Sequence, residues 1–451
     1  MTSIWKHRGI VALLWLMAPA AGAAAPMVSA GNEFALALKA DGSISAWGRN
    51  DYGQLGNGRS AIRLAPAKVE GIDGVAAVVA GDGATLALRV DGTLWGWGAN
   101  ANGLLGDGTA QGKSHPVRVT GLNAAVASFA LGSEHALAVT TDGTVWAWGW
   151  GNYGQLGNGD TFNRIAATAV AGLPPASAVA AGARHSLALA TDGTVWAWGD
   201  NSTGQLGDGS TVSRLTPIQL GTLTNIKAIS TAAKSNLALD ASGRVWAWGY
   251  GGGGILGDGS YADRATPFIV TGLPAINAIV AGKSVSVAVA EDGSVWMWGD
   301  NASGQFGDGA YAAQPSPAKV TALAGYQEFS VGETHVAARA PAGAAQAWGG
   351  NDYAQLGLGD TTDRSVPTAI SAPVQFMQVS AGLTHTAAVA ADGAVWAWGS
   401  NGVGQLADGT IDISNRPVEV QGPGNAIAVS AGRFHVLALG ADGSVWAWGN
   451  N

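Results

Sequence analysis

A Trp-Gly pair returns along this chain with a step that barely varies. Its tryptophan stands at Trp47, Trp97, Trp148, Trp198, Trp248, Trp298, Trp348, Trp398 and Trp448, in steps of 50 residues with a single step of 51. A fixed period of this size marks a repeat architecture, in which one supersecondary unit buries its faces only against its neighbours. Other residues keep the same register. A Gln-Leu-Gly motif follows at Gln54–Gly56, Gln155–Gly157, Gln205–Gly207 and Gln355–Gly357, and a proline stands nineteen residues after most of the tryptophans, from Pro66 to Pro417, with Ala167 in its place once.

Within a unit the pattern is that of strands and turns. In SLALATDGTVWAW, residues 186–198, Leu187 and Leu189 alternate with smaller residues, Asp192-Gly193 marks a turn, and Val195 to Trp198 alternate again. Two period-2 runs about an Asp-Gly pair predict a hairpin, the turn supplying positive φ at its central residues. Trp196 and Trp198, two apart, point to one face, and the small Ala197 points to the other. The recurrent proline cannot donate to a ladder, so it belongs at a strand start or on an edge strand. A hairpin and two further short strands per 50 residues make a four-stranded blade. The fold expected is an all-β propeller of eight or nine repeats.

Seven Trp-x-Trp pairs, Trp95/Trp97 to Trp446/Trp448, supply the cohesion. Burying about 200 Å² per indole at about 25 cal/mol per Å² gives on the order of 5 kcal/mol before entropy. Ser45 and Gln346 interrupt the pair, and those two contacts should be weaker. The unit near residues 27–49 lacks an outer strand in this reading, and the sequence stops inside a repeat signature at Asn450-Asn451. Either one blade of nine is incomplete or the natural chain continues past Asn451.

The first residues read as an export signal. Lys6, His7 and Arg8 precede an apolar run from Gly9 to Met17, and Ala21-Gly22-Ala23 offers a cleavage site. The expectation is a signal peptide over residues 1–23 and a propeller over 24–451, in a periplasmic, secreted or otherwise extracellular protein with no membrane span in the mature chain. There is no cysteine, hence neither a disulfide nor a lipid-anchored cysteine. Removing Lys6 and Arg8 leaves 21 basic against 31 acidic residues, a net charge of −10. Without a basic stripe for phosphates, nucleic acid is set aside as a partner.

The stretches WGRNDYGQLG at 47–56 and WGDNSTGQLG at 198–207, then Pro-x-x-Val and Ala-Gly-x-x-His-x-x-Ala-Leu, closely resemble the regulator of chromosome condensation repeat. The resemblance covers essentially the whole mature chain and implies a closed propeller, commonly of seven blades. The founding activity of that family is nucleotide exchange on a nuclear GTPase. The export signal, the even 50-residue step with no inserted wedge, and the lack of a basic tail speak against it here, and it remains a minor alternative. Photoreceptor members carry tryptophan in a Gly-Trp-Arg-His-type motif, where this chain has Gly182-Ala183-Arg184-His185. Secreted bacterial members that cap and inhibit other proteins are the nearer functional likeness.

Chemistry finds little footing. His135, His185, His335, His385 and His435 recur once per unit, and their reading is hydrogen bonding between blades rather than a ring of metal ligands. The Asp-Gly pairs offer one carboxylate per loop, enough for a turn but too few for calcium. No nucleophile elbow, phosphate loop or paired glutamates appear, so no enzyme, cofactor or metal is expected. In repeat proteins function sits where the repeat varies. Two residues after the blade tryptophan stand Arg49, Trp150, Asp200, Tyr250 and Asp300; five after it, Tyr52, Tyr153 and Tyr353; thirteen or fourteen after it, Phe162, Tyr261 and Tyr311. Aromatics among aspartates suit an interface core with a polar rim. Two readings follow: a non-catalytic scaffold or inhibitor that binds a protein partner through this loop face, or a carbohydrate- or envelope-binding module.

Overall fold

The computed structural model describes residues 27–30, 34–38, 42–48, 52–58, 63–81, 83–282, 284–321, 328–332, 334–339, 344–402, 404–422, 424–431, 435–441 and 445–449. They form nine antiparallel sheets, eight of four strands and one of three, in which each strand pairs with the next along the chain. One short 3-10 turn, Gly252–Gly254, lies wholly within the described residues. None of the described helices is long and apolar enough to cross a membrane.

The sheets are numbered here as blades in chain order. Blade 1 holds Met27–Ala30, Phe34–Leu38, Ile44–Gly48 and Arg63–Lys68. Blade 2 spans 75–118, blade 3 126–169, blade 5 226–269, blade 6 276–319, blade 7 328–369 and blade 8 376–419. Blade 4 holds Ala176–Ala181, His185–Ala190, Val195–Gly199 and Arg214–Gln219. Blade 9 holds Ala426–Ala431, His435–Gly440 and Val445–Gly449. Among the described residues the three-stranded sheet is therefore the last. The first unit does have an outer strand, contrary to the sequence reading, because Arg63–Lys68 returns to pair with Ile44–Gly48. That same strand also borders Val445–Gly449, and each strand of blade 9 lies near the strand of equal rank in blade 1, so the first and last described blades meet.

The hairpin falls where the Asp-Gly pair places it, with Leu189 opposite Val195 and Ala188 opposite Trp196. The turn differs from the expected one. Gly193 takes φ +80° while Asp192 stays at negative φ, and Gly193 N donates to the Ala190 carbonyl. This is the three-residue form with a glycine bulge, and it needs positive φ at one residue only. Asp192 closes it by accepting from the backbone N and hydroxyl of Thr194. The recurrent prolines, Pro217 among them, lie in the fourth strands, at the sheet edge where a missing N–H costs no ladder bond.

The core sits between blades. Trp198 and Ala188 of blade 4 pack with Leu137, Val145 and Leu156 of blade 3, while Leu187, Val195 and Ala197 pack with Ile226, Ala238 and Trp248 of blade 5. Blades 2 to 8 thus each present an indole to the blade before and a flat aliphatic face to the blade after. The two tryptophans of a pair have separate duties. Trp198 is fully buried, whereas Trp196 is half-buried and hydrogen-bonds the turn residue Thr194.

Polar bonds fasten the same junctions. Trp198 Nε1 donates to the Gln155 carbonyl of blade 3 at 2.8 Å, and Ser186 Oγ donates to that oxygen at 2.8 Å. The equivalent pair at the next junction is Trp248 Nε1 and Asn236 Nδ2, both on the Gln205 carbonyl. Gly157 in the Gln-Leu-Gly loop stands at φ +73° with a Cβ position only 2.8 Å from Trp198 Nε1. The glycine is thus required by backbone and by space, and the motif and the tryptophan are two halves of one inter-blade latch.

Candidate functional site

In an antiparallel meander the turn joining strands one and two and the loop joining strands three and four lie at the same end of a blade. That end carries the recurrent histidines and every described residue singled out for binding. His135, His185 and His335 are structural. His185 Nε2 lies 2.7 Å from Asn236 Oδ1 of the following blade. Because the Asn236 amide nitrogen is used on Gln205, the oxygen faces the imidazole and the histidine donates from Nε2. His135 and His335 reach Ser186 Oγ and Thr386 Oγ1 in the same way. Burial holds His135 and His335 down at about 3 and also lowers His185, so these rings stay neutral over the physiological range. Among the described residues no three His, Cys, Asp or Glu side chains come together as metal donors.

The loop between strands three and four is shaped by an internal staple. Asn201 Oδ1 accepts from Leu206 N, and its amide donates to Asp208 and to the Ser210 and Val212 carbonyls. Asp208 is in turn paired with Arg214. Asn100 with Asp107, and Asn401 with Asp408, repeat the arrangement. The second set of Asp-Gly pairs is therefore loop architecture, as its single carboxylate per loop suggested. In blades 3 and 5 glycine replaces the stapling asparagine, and a Cβ on Gly151 or Gly251 would meet the Phe162 or Ala262 carbonyl. These are the loops that carry Trp150 and Tyr250.

The candidate residues separate into three groups. Asp200 leaves the surface: it is buried, accepting from Ser202 and from the Gln205 amide, and serves its own loop. Arg49 lies outside the described residues. Tyr52, Phe162, Tyr250, Tyr261, Tyr311 and Tyr353 are exposed, from 46% for Tyr250 to 71% for Phe162, and Asp300 is half-buried beside the Ala302 backbone. Tyr261 and Tyr311 lean onto the following blade, each hydroxyl 3.5 Å from a carbonyl there.

Trp150 and Tyr153 form the third group. Their rings meet edge to face at 5.2 Å, and the guanidinium of Arg184, from blade 4, lies 4.5 Å from the Tyr153 centroid and 5.6 Å from that of Trp150. Trp150 is half-buried in this cluster. Arg184 was not foreseen, although its position, directly before the recurrent histidine, is as variable as the loops: Gly83, Glu134, Lys234, Ser284, Thr334 and Thr384 stand there in other blades. The same end also exposes Val212, Ile411 and Ile413, aliphatic counterparts of Phe162 and Tyr261 that a search for aromatics passed over.

The family described as RCC1-like domain matches residues 167–425, and the regulator of chromosome condensation (RCC1) repeat matches 41–88, 91–139 and 142–189. The ultraviolet-B receptor UVR8 of Arabidopsis thaliana is 32% identical over 143 residues, 32% of this chain and 21% of the receptor. The human E3 ubiquitin-protein ligase HERC2 is 30% identical over 146 residues, 32% of this chain and 2% of the ligase. The chain thus spans a small part of the curated relatives it matches. Among solved structures, yeast RCC1 (Prp20) bound to Kap60 aligns with a TM-score of 0.57 at 21% identity, covering 84% of this chain and 91% of that one. Human WBSCR16 aligns with a TM-score of 0.52 at 23% identity, covering 76% and 98%.

Proposed function

This chain belongs to the RCC1-like domain family, and on that premise we propose that it is an exported, non-catalytic propeller that binds another protein through the loop end of its blades. The observation carrying the reading is the row of exposed apolar side chains at one loop position, Phe162, Val212, Tyr261 and Tyr311 in blades 3 to 6 and Ile411 in blade 8. They stand at thirteen or fourteen residues after the blade tryptophan and so recur at one rim of the scaffold. Large exposed apolar residues sharing one rim mark interaction sites, whereas scattered single ones do not. The solved yeast relatives are described with protein partners, Kap60 in one case and Gsp1p and histones in another. The small number of charges, 12% of residues, and the net negative charge argue for a protein rather than a nucleic-acid partner. Export rests on the N-terminal basic, apolar and small-residue segments.

The test is capture of a partner from envelope and culture-supernatant extracts by the mature chain, beside a Phe162→Ser/Tyr261→Ser/Tyr311→Ser variant. A defined protein retained by the native chain and lost with the variant is the expected result. Retention of polysaccharide instead would turn the reading toward an envelope-binding module. The mature N-terminus, read by mass spectrometry, checks export: it should fall just after Ala23.

A further inference from the structure

The cluster at the junction of blades 3 and 4 has an unfilled counterpart at the junction of blades 7 and 8. Tyr353 occupies the place of Tyr153, and the two loops share one contact, although blade 7 keeps the stapling Asn351 where blade 3 has Gly151. In each, the tyrosine backbone N donates at 2.9 Å to the side-chain oxygen of the following glutamine, Gln155 or Gln355. Three substitutions change what stands above that contact. Thr384 replaces Arg184, Gly350 replaces Trp150, and Asp352 replaces Asn152. The first two remove the cation and the indole that cover Tyr153. What remains is a groove of about 190 Å³ lined by Thr334, Asp352, Tyr353, Gln355, Leu383 and Thr384. Tyr353 is 48% exposed beside it.

We infer that this groove receives the guanidinium or ammonium group of a lysine or arginine side chain from a protein partner. The inference rests on the protein-binding reading and gives that partner a chemistry. The fold supplies the precedent for the occupant, since at the junction of blades 3 and 4 it sets its own guanidinium on the equivalent ring. The face of a phenol ring attracts a cation. Asp352 adds a carboxylate that the filled cluster lacks, and Thr334 and Thr384 add hydroxyl acceptors for the remaining N–H groups. An uncharged sugar would gain nothing from the carboxylate's charge. A net charge of −8 favours approach of a basic segment.

The test uses the full mature chain and N-acetyl-arginine amide, with N-acetyl-citrulline amide as the uncharged analogue of the same shape, followed by saturation-transfer NMR. The arginine amide should be saturated and the citrulline amide at least about fivefold less so. Thr384→Arg places in the chain the cation that blade 4 already carries and should abolish the signal. Asp352→Asn, a change at an exposed loop position that leaves the core untouched, should weaken it severalfold. Equal saturation by the two amides, or a signal indifferent to both variants, overturns the inference. So does a methyl glycoside whose signal is lost with Thr384→Arg while the arginine amide gives none. The two readings fail separately: a protein partner retained undiminished by Thr384→Arg would keep the binding-propeller reading and remove the cation groove. An arginine-amide signal lost with Thr384→Arg supports the groove even if no partner is captured.

Discussion

At the junction of blades 4 and 5 the Trp248 indole donates to the Gln205 carbonyl at 3.0 Å. At the junction of blades 7 and 8 the corresponding Trp398 Nε1 is buried without an acceptor, and only Thr386 reaches the Gln355 carbonyl. The division runs along the chain. Trp148, Trp198, Trp248, Trp298 and Trp348, at the five junctions from blade 2 to blade 7, all donate to a carbonyl of the preceding blade. Trp97, Trp398 and Trp448, on the two sides of the place where blades 9 and 1 meet, do not. The glycine pattern fails on the same side. Ala354 and Ala407 hold φ +60° and +47° at positions that are glycine in most other blades. Phe376 stacks on Trp398 at 5.9 Å, so apolar packing takes over where the latch is missing. The repeat is therefore strict where it must transmit one blade's position to the next. It loosens toward the seam, where the three-stranded blade 9 meets blade 1.

The largest expected effect separates junctions by their histidines rather than by their latches. His135, His185 and His335 stay neutral when folded, whereas an unfolded histidine takes a proton below about pH 6.5. Their folded values are depressed, so stability is complete above about 6.5 and is lost as pH falls toward about 3, at about 1.4 kcal/mol per histidine per pH unit. Hydrogen exchange at pH 4.5 should loosen the junctions of blades 3 and 4, 4 and 5, and 7 and 8 first. The junctions that begin at blades 5 and 6 carry Ser235 and Val285 in place of histidine and should hold. Uniform loosening would break the distinction.

Next come the glycine positions. Gly207→Ala asks for a Cβ about 3 Å from Trp248 at φ +73°, and should cost about 2–4 kcal/mol from strain and overpacking together. The reverse changes on the seam side, Ala407→Gly and Ala354→Gly, should gain up to about 1 kcal/mol each by relieving left-handed backbone. Urea midpoints decide this, and equal shifts in both regions would show that the seam is no looser. The smallest effect is the indole bond itself. Trp248→Phe loses packing and leaves the Gln205 carbonyl one donor short, whereas Trp398→Phe loses packing only. The two should differ by about 1 kcal/mol in thermal unfolding, with the first the more costly.

Much of this was open to a reader of the sequence. The strands, the hairpin at Asp192-Gly193, the edge placement of Pro217 and the histidine bridges follow from local rules applied to a pattern that states itself nine times. The turn geometry was misjudged because an Asp-Gly pair serves both a two-residue and a three-residue loop, and the register of the flanking strands chooses between them. The first unit was read as lacking an outer strand although Gln54–Gly56 and Pro66 stand in the repeat's register, and Arg63–Lys68 does pair with Ile44–Gly48. Of the loop residues, exposure was read correctly for Phe162 and Tyr261, and incorrectly for Asp200, whose carboxylate is taken by Gln205 five residues along.

The sequence by itself determined the blade, because a 50-residue period, alternation about a turn and a fixed indole each act over a few residues or over one repeat. Only the tertiary structure decided what stands opposite what across a junction. Arg184 is about thirty residues from Tyr153 along the chain, and its guanidinium lies 4.5 Å from that ring only because consecutive blades pack face to face. Whether a tyrosine at that position is capped by a cation or left beside an open groove depends on one residue in the next repeat and one in its own. A period cannot carry that information, since it describes what the repeats share, and the site is made from where they differ.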